Sequence, residues 1–407
     1  MTRPLCVMLV AAEASGDDRG AGLAKALRAR LGEKVRFVGV GGERMSAEGV
    51  KSPFDISELS ILGLLEGLMA YPKVKARVAD TVALAAREKP DVAILIDSWG
   101  FTLRVAVGLR KLDPKLPLIK YVAPQVWATR PGRAKTLATS VDHLLSIHVF
   151  DAPYFEAEGL PVTFVGNSAL NIDFSQADGG RLRAQLGISP ETPVLLVLPG
   201  SRPGEITRVL PPFAEAAAIL KHERPDLEVV IPAAPTVAAS VREAAASWAH
   251  VVEGETAKLD AMKAATVALA CSGTVTTELA LAGVPMVIGY RLGAMTHAIL
   301  KRLIRTPYIT LFNIAAKAFV APELVQDDCN GPALAREIGK RLDDPDLRKA
   351  QAAAQSEALL KMGRGGPDPS ETAADAVLKL LGERAKTSGP DDRAGQAPAG
   401  TDRAHRR

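Results

Sequence analysis

The chain has 407 residues, of which 47% are hydrophobic but only 4% aromatic, and its formal net charge is +4. That length exceeds what one core usually supports, so two domains with a sizeable core each are expected. So small a net charge gives no ground for a nucleic-acid partner, and no apolar run reaches the ~18 residues that a membrane span needs.

Met1-Thr2-Arg3-Pro4 enters a strand with no secretory h-region, which predicts a cytoplasmic protein. Short apolar runs from Leu5 to Ala11, Val35 to Val40, Val92 to Ile96, Leu118 to Val122, His143 to Ile147 and Val162 to Val165 read as buried strands. Amphipathic segments such as Arg19 to Leu31 and Lys73 to Arg87 alternate with them, the pattern of an α/β doubly wound parallel sheet. A polar, glycine-bearing break from Gln176 to Gly180 follows. A second α/β series then begins at Val194, with further strands from Glu228 to Ile231, His250 to Val252, Val267 to Ala270 and Met286 to Tyr290. After Pro332 the chain reads as helical, including Asp346 to Met362 and Ser370 to Arg384. Beyond Lys386 almost nothing is apolar, which predicts disorder through Arg407. The expected division is therefore 1–175, then 176–386 with the C-terminal helices, then a tail at 387–407. Two Rossmann-like halves put ligand at the carboxyl ends of both sheets, in an interdomain cleft. The C-terminal helices either fold back on their own N-terminal domain or exchange with a partner chain in a homodimer.

Cys6, Cys271 and Cys329 are odd in number, far apart and without metal spacing, and two lie inside apolar strand patterns; reduced core thiols are expected. The six histidines show no ligand spacing and no Asp-x-Asp pair stands where a nucleotide-bridging cation would sit, so the reading requires no metal and no cofactor.

The most informative stretch is Val194-Leu195-Leu196-Val197-Leu198 running into Pro199-Gly200-Ser201-Arg202-Pro203-Gly204-Glu205, a strand that breaks onto a loop and starts a helix. Gly200 lets the backbone approach a ligand, Ser201 suits an N-cap and Pro203 a first helical turn. Free N–H groups there favour an anion that Arg202 can grip bidentately. A second such turn, Ser272-Gly273-Thr274, follows the strand ending at Cys271 and carries Glu278 one turn into its helix. Two donor-rich turns in one half point to a ligand with a diphosphate and a sugar, the ribose hydroxyls on Glu278. The plainer alternatives are a solvated Arg202 and a Glu278 that merely favours the helix dipole.

Six signatures in order resemble one family. They are Ala12-Glu13-Ala14-Ser15-Gly16-Asp17; Phe37-Val38-Gly39-Val40-Gly41-Gly42 with Met45 and Gly49; Tyr121-Val122-Ala123-Pro124-Gln125-Val126-Trp127-Ala128; Phe164-Val165-Gly166-Asn167; Leu198-Pro199-Gly200-Ser201-Arg202 with Glu205-Ile206; and Ser272-Gly273-Thr274. Over about residues 5 to 380 the chain resembles the lipid-A-disaccharide synthases. It departs from their pattern at Asn167-Ser168, Thr129-Arg130 and Phe312. The resemblance implies a GT-B fold and an inverting glycosyltransferase that joins UDP-2,3-diacylglucosamine to 2,3-diacylglucosamine 1-phosphate (lipid X) through a β-1,6 linkage and releases UDP. It also implies peripheral association with the cytoplasmic face of a Gram-negative inner membrane.

Displacement at an anomeric carbon needs a base for the acceptor hydroxyl and stabilisation of the departing diphosphate, onto which charge moves. Asp97, closing the run Val92 to Ile96, is the base that the resemblance favours; the alternative is a helix cap near Gly100. Glu13 and Asp17, after the first strand, are the second candidates, Asp17 being equally an N-cap for the helix that follows it. Asn313, Glu323 and Gln326 fall in a stretch resembling the family's late donor-site segment, or serve loop hydrogen bonding alone. For the acyl chains the candidate surface is Ile61, Leu62, Leu64, Leu65, Leu68 and Met69, with a cationic amphipathic run from Arg291 to Arg305. Two other readings keep the fold: a UDP-GlcNAc 2-epimerase-like enzyme, and a non-catalytic nucleotide-sugar or glycolipid binding protein.

Overall fold

The structure, a computed structural model, describes residues 3–59, 71–293 and 306–387. Twelve strands form two sheets among these residues. The first holds β1 (Leu5–Val10), β2 (Val35–Val40), β3 (Val92–Ile96), β4 (Leu118–Tyr121), β5 (His143–Ser146) and β6 (Val162–Phe164), in the order β2-β1-β3-β4-β5-β6. The second holds β7 (Val194–Leu198), β8 (Glu228–Ala233), β9 (His250–Glu253), β10 (Val267–Cys271), β11 (Met286–Tyr290) and β12 (Glu323–Val325), in the order β12-β11-β10-β7-β8-β9. The pairings of β1 with β2 and β3, and of β10 with β7 and β11, are parallel.

Central strands such as β3, β7 and β10 are buried at every residue, as strands covered on both faces must be. Alternation along β7 divides its side chains between two cores. Leu195 and Val197 meet Phe213 and Ile338 on one side, whereas Leu196 and Leu198 meet Met286, Phe312 and Leu359 on the other. Cys6, Cys271 and Cys329 are buried free thiols.

The chain forms two compact units, Met1–Tyr121 with Asp368–Arg407, and Val122–Pro367. The change of sheet falls between Phe164 and Val194, and the last helix packs back on the first, which puts it in the first unit. Arg30, near the end of the helix Ala14–Leu31, pairs with Glu371 and, at 2.8 Å, with Asp375 of the helix Pro369–Thr387.

The glycines expected to make a break at 176–180 instead open the helix Gly179–Leu186. Asp178 caps it, accepting from the N–H groups of Gly180 and Arg181 at 2.8 and 3.1 Å. A Cβ on Gly179 would stand 2.6 Å from the backbone nitrogen of Ala264, so glycine is required by close helix approach. The acyl-surface candidates at 61–69, most of the run 291–305 and the tail from 388 lie outside the described residues.

Candidate functional site

Each sheet has one point at which successive connections run off in opposite directions. In the first sheet the chain leaves β1 for β2 on one side and returns to β3 on the other; in the second it leaves β7 for β8 and β9 and returns to β10. Ligands of open α/β sheets bind at the carboxyl ends of the strands flanking such a point. Glu13 and Asp97 follow β1 and β3; the Gly200 and Ser272 loops follow β7 and β10.

At the first point Asp97 and Ser98 both adopt left-handed backbone, with φ +51° and +36°. Two such non-glycine residues in succession are strained. The Asp97 N–H donates to the main-chain oxygen of Tyr121 at 2.9 Å, and its side chain is one-third exposed. Its Oδ2 accepts from Ser15 Oγ at 3.3 Å and from the Arg19 guanidinium at 3.4 Å. Its Oδ1 accepts from the neighbouring Ser98 N–H at 3.0 Å. Ser98 occupies the N-cap position of the helix Trp99–Leu112, so the Asp97 carboxylate is not that helix's cap. Glu13 stands at the N-cap position of the helix Ala14–Leu31. Desolvation, then repulsion by Asp97, raises its pKa against a partly offsetting hydrogen bond from Ser98. The Nε–H of Arg19 is buried and finds no acceptor among the described residues.

Asp17 is placed differently from either expectation. It is 5% exposed, and its Oδ1 accepts from the N–H groups of Gly42 and Met45 at 2.7 and 3.0 Å, its Oδ2 from that of Arg44 at 2.9 Å. It therefore caps the short helix Glu43–Ala47 rather than its own helix, and its oxygens are committed there.

Sequence reasoning passed over Lys120, which is 3% exposed on β4. Its ammonium donates to the main-chain oxygen of Asp97 and, at 2.9 Å, to Thr102 Oγ1. Burial lowers its pKa to about 7, against the pull of the Asp97 and Glu13 carboxylates. The signal was available: a lysine inside Leu118-Ile119-Lys120-Tyr121, an otherwise apolar strand.

At the second point Gly200 has φ +117°, and a Cβ there would meet Glu205 Oε2 at 2.5 Å. The N-cap residue of the helix Pro203–Glu223 is Arg202, not Ser201, with Pro203 in the first turn as expected. The loop's N–H groups are not free. Glu205 Oε2 accepts from Ser201 N–H at 2.9 Å and Arg202 N–H at 3.2 Å, and Oε1 lies 3.0 Å from the Arg202 guanidinium, which is 72% exposed. Thr236 Oγ1 donates to the main-chain oxygen of Ser201 at 2.7 Å. Across the switch, Ser272 Oγ donates to Ile309 O at 3.1 Å. Gly273 is the N-cap residue of the helix Thr274–Leu281, and Glu278 on that helix lies 2.8 Å from Lys258 Nζ.

The late segment is a scaffold. Asn313 is fully buried; its amide donates to Ala321 O and Glu323 Oε1 and accepts from Ala321 N–H. Glu323 in turn accepts from the N–H groups of Ile309 and Thr310 at 2.9 and 2.8 Å. Gln326, left-handed at φ +57°, accepts from Leu292 N–H at 2.6 Å. These side chains hold the backbone at Leu292 and at Ile309 and Thr310, the Ile309 oxygen being the one that accepts from Ser272. Asn167, at one departure from the family pattern, is 7% exposed and caps the turn Ser168–Leu170, accepting from Ala169 N–H at 3.1 Å.

Residues 7–377 match the lipid-A-disaccharide synthetase family. The lipid-A-disaccharide synthase of Rhodospirillum centenum is 43% identical over 399 residues, covering 97% of this chain and 98% of the relative. That of Paramagnetospirillum magneticum is 43% identical over 382 residues, covering 93% and 98%. Among solved structures, S. aureus MnaA with UDP superposes with a TM-score of 0.63 at 15% identity, covering 93% of this chain and 97% of that one. A glycosyltransferase from Rickettsia africae superposes with a TM-score of 0.55 at 11% identity, covering 95% and 100%. At such identities the solved structures bear on the fold, which is GT-B, two Rossmann-like doubly wound sheets. With the family match running through both switch points, the chain belongs to the lipid-A-disaccharide synthase family of glycosyltransferases.

Proposed function

We propose that the chain transfers 2,3-diacylglucosamine from UDP-2,3-diacylglucosamine to the 6-hydroxyl of 2,3-diacylglucosamine 1-phosphate, with inversion, giving the β-1,6 disaccharide and UDP. The observation that carries this reading is Asp97. Its partly exposed carboxylate is held at the carboxyl end of β3, beside the switch point, by Ser15 and Arg19. In the reading Asp97 takes the acceptor proton as the hydroxyl attacks the anomeric carbon, and the bond to UDP breaks with its electrons passing to the diphosphate. Arg202 neutralises the diphosphate once Glu205 yields it, with N–H groups of the Gly200 and Ser272 to Thr274 loops as further donors. Glu278 meets the ribose, exchanging its partner Lys258 for hydroxyls. Glu13, with its raised pKa, is the alternative base. Donor and acceptor are both acylated, so the reading places the enzyme peripherally on the cytoplasmic face of the inner membrane; no helix among the described residues is long and apolar enough to cross one.

The test is UDP release by purified protein in detergent with both glycolipids, each omitted in turn, for wild type and Asp97→Asn. Release that needs both lipids and falls ~10²- to 10⁴-fold in the variant, with UDP binding retained, supports transfer with Asp97 as base. Persistent turnover in Asp97→Asn moves the base to Glu13. Wild-type protein that turned over UDP-GlcNAc alone, with neither glycolipid, would overturn the transferase reading.

A further inference from the structure

Lys120 is part of a strand buried at all four residues, a position where an ammonium gives up its hydration. Its Nζ meets the main-chain oxygen of Asp97 and the hydroxyl of Thr102. Thr102 Oγ1 itself lies 2.8 Å from the Asp97 oxygen and 3.0 Å from the Ser98 oxygen. The two carbonyls of the left-handed pair are thus gripped from below by one lysine and one threonine. Two carboxylates act on the lysine, and a guanidinium bonds one of them. Asp97 ends β3, Glu13 follows β1, and Arg19, bonded to Asp97, comes from the helix Ala14–Leu31.

We propose that Lys120 is a positioning residue for proton transfer at Asp97: through the Asp97 carbonyl it fixes the turn that presents the carboxylate, and its positive charge offsets the negative charge gathered there by Asp97 and Glu13. The inference rests on the assignment of Asp97 as base. Two carboxylates with one guanidinium beside Asp97 hold a surplus negative charge, and the pKa of Glu13 is raised by desolvation and by Asp97. A cation beneath the pair opposes that. Removing it lets Glu13 bind its proton more readily and changes the charge beside the base, so the acid limb of the pH-rate profile moves to higher pH.

The experiment measures UDP release with both glycolipids from about pH 5 to 9 for wild type, Lys120→Met and Thr102→Val, with UDP binding and a melting curve for each. Lys120→Met keeps the length of the side chain and removes the charge. Its kcat is expected to fall ~10- to 100-fold with the donor KM within about threefold, and its acid limb to move up by about 0.5 to 1 pH unit. Thr102→Val removes a hydroxyl and no charge, so kcat falls by about 3- to 10-fold while the limb stays in place. An acid limb unmoved in Lys120→Met, or a defect confined to KM, overturns the proposal. If Lys120→Met does not fold, Thr102→Val decides, and a wild-type kcat there overturns it. Wild-type turnover in Asp97→Asn would instead remove the base assignment. With Asp97→Asn inert, the Lys120 and Thr102 outcomes judge the positioning role alone.

Discussion

Replacing Asp17 by asparagine separates a structural carboxylate from a catalytic one. Three backbone N–H groups, those of Gly42, Arg44 and Met45, end on its two oxygens at 2.7 to 3.0 Å. Bonds to a charged acceptor contribute about 1.5–3 kcal/mol each. An amide oxygen in the place of Oδ1 keeps two of them, while the NH₂ group faces the N–H of Arg44, so one bond is lost and one half-buried donor is left facing another. The expected cost is ~2–3 kcal/mol, and at ~2–4 °C per kcal/mol for a unit of this size the melting temperature falls by ~4–12 °C. Circular dichroism melts and kcat/KM at about 25 °C, where the variant stays folded, are the paired measurements. The structural reading expects a depressed melting temperature with kcat/KM within about threefold of wild type. A variant that melts with wild type yet turns over ~10²-fold more slowly would refute it and return Asp17 to the chemistry.

Two other outcomes follow from the structure. Asp151, 1% exposed, accepts from Trp127 Nε1 at 3.1 Å and Ser146 Oγ at 2.7 Å, and burial raises its pKa from 3.8 to about 6. The folded chain therefore binds this proton more tightly than the unfolded chain, and stability drains away as pH rises from about 4 to 6, by up to ~3 kcal/mol. Asp151→Asn should melt ~6–12 °C above wild type near pH 8 and close to it near pH 4, which melts at the two pH values check. Arg202→Ala should weaken UDP binding by ~10- to 100-fold in calorimetry. It should leave the melting temperature almost unchanged, because a guanidinium that is 72% exposed gains little from its pair with Glu205.

The strands and their grouping into two α/β halves were legible because buried parallel strands read largely as apolar runs, and all but one of the described strands stood out this way. The exception, β12, has three residues, Glu323–Val325, too few for any periodicity, and its first side chain serves as a hydrogen-bond hub. The polar candidates were harder, since residue type does not say which way a side chain faces. Asn313 and Gln326 carry the groups a donor site would want, yet the fold spends them on Ala321, Glu323 and Leu292. Glu205 was legible as part of the phosphate loop but not as the anion filling it, because the capping geometry that brings its carboxylate to Ser201 and Arg202 depends on the φ of Gly200. Asp17 shows the same limit at longer range, as its partners lie 25 to 28 residues away.

The helix Pro369–Thr387 belongs with residues that emerge from the ribosome long before it. Residues 3–121 are synthesised first, but the side of Ala14–Leu31 carrying Arg30 waits for Glu371 and Asp375 until all of Val122–Pro367 has been made. At ~5–20 residues per second that interval is ~10–50 s. The unit encoded first is thus the last to be completed.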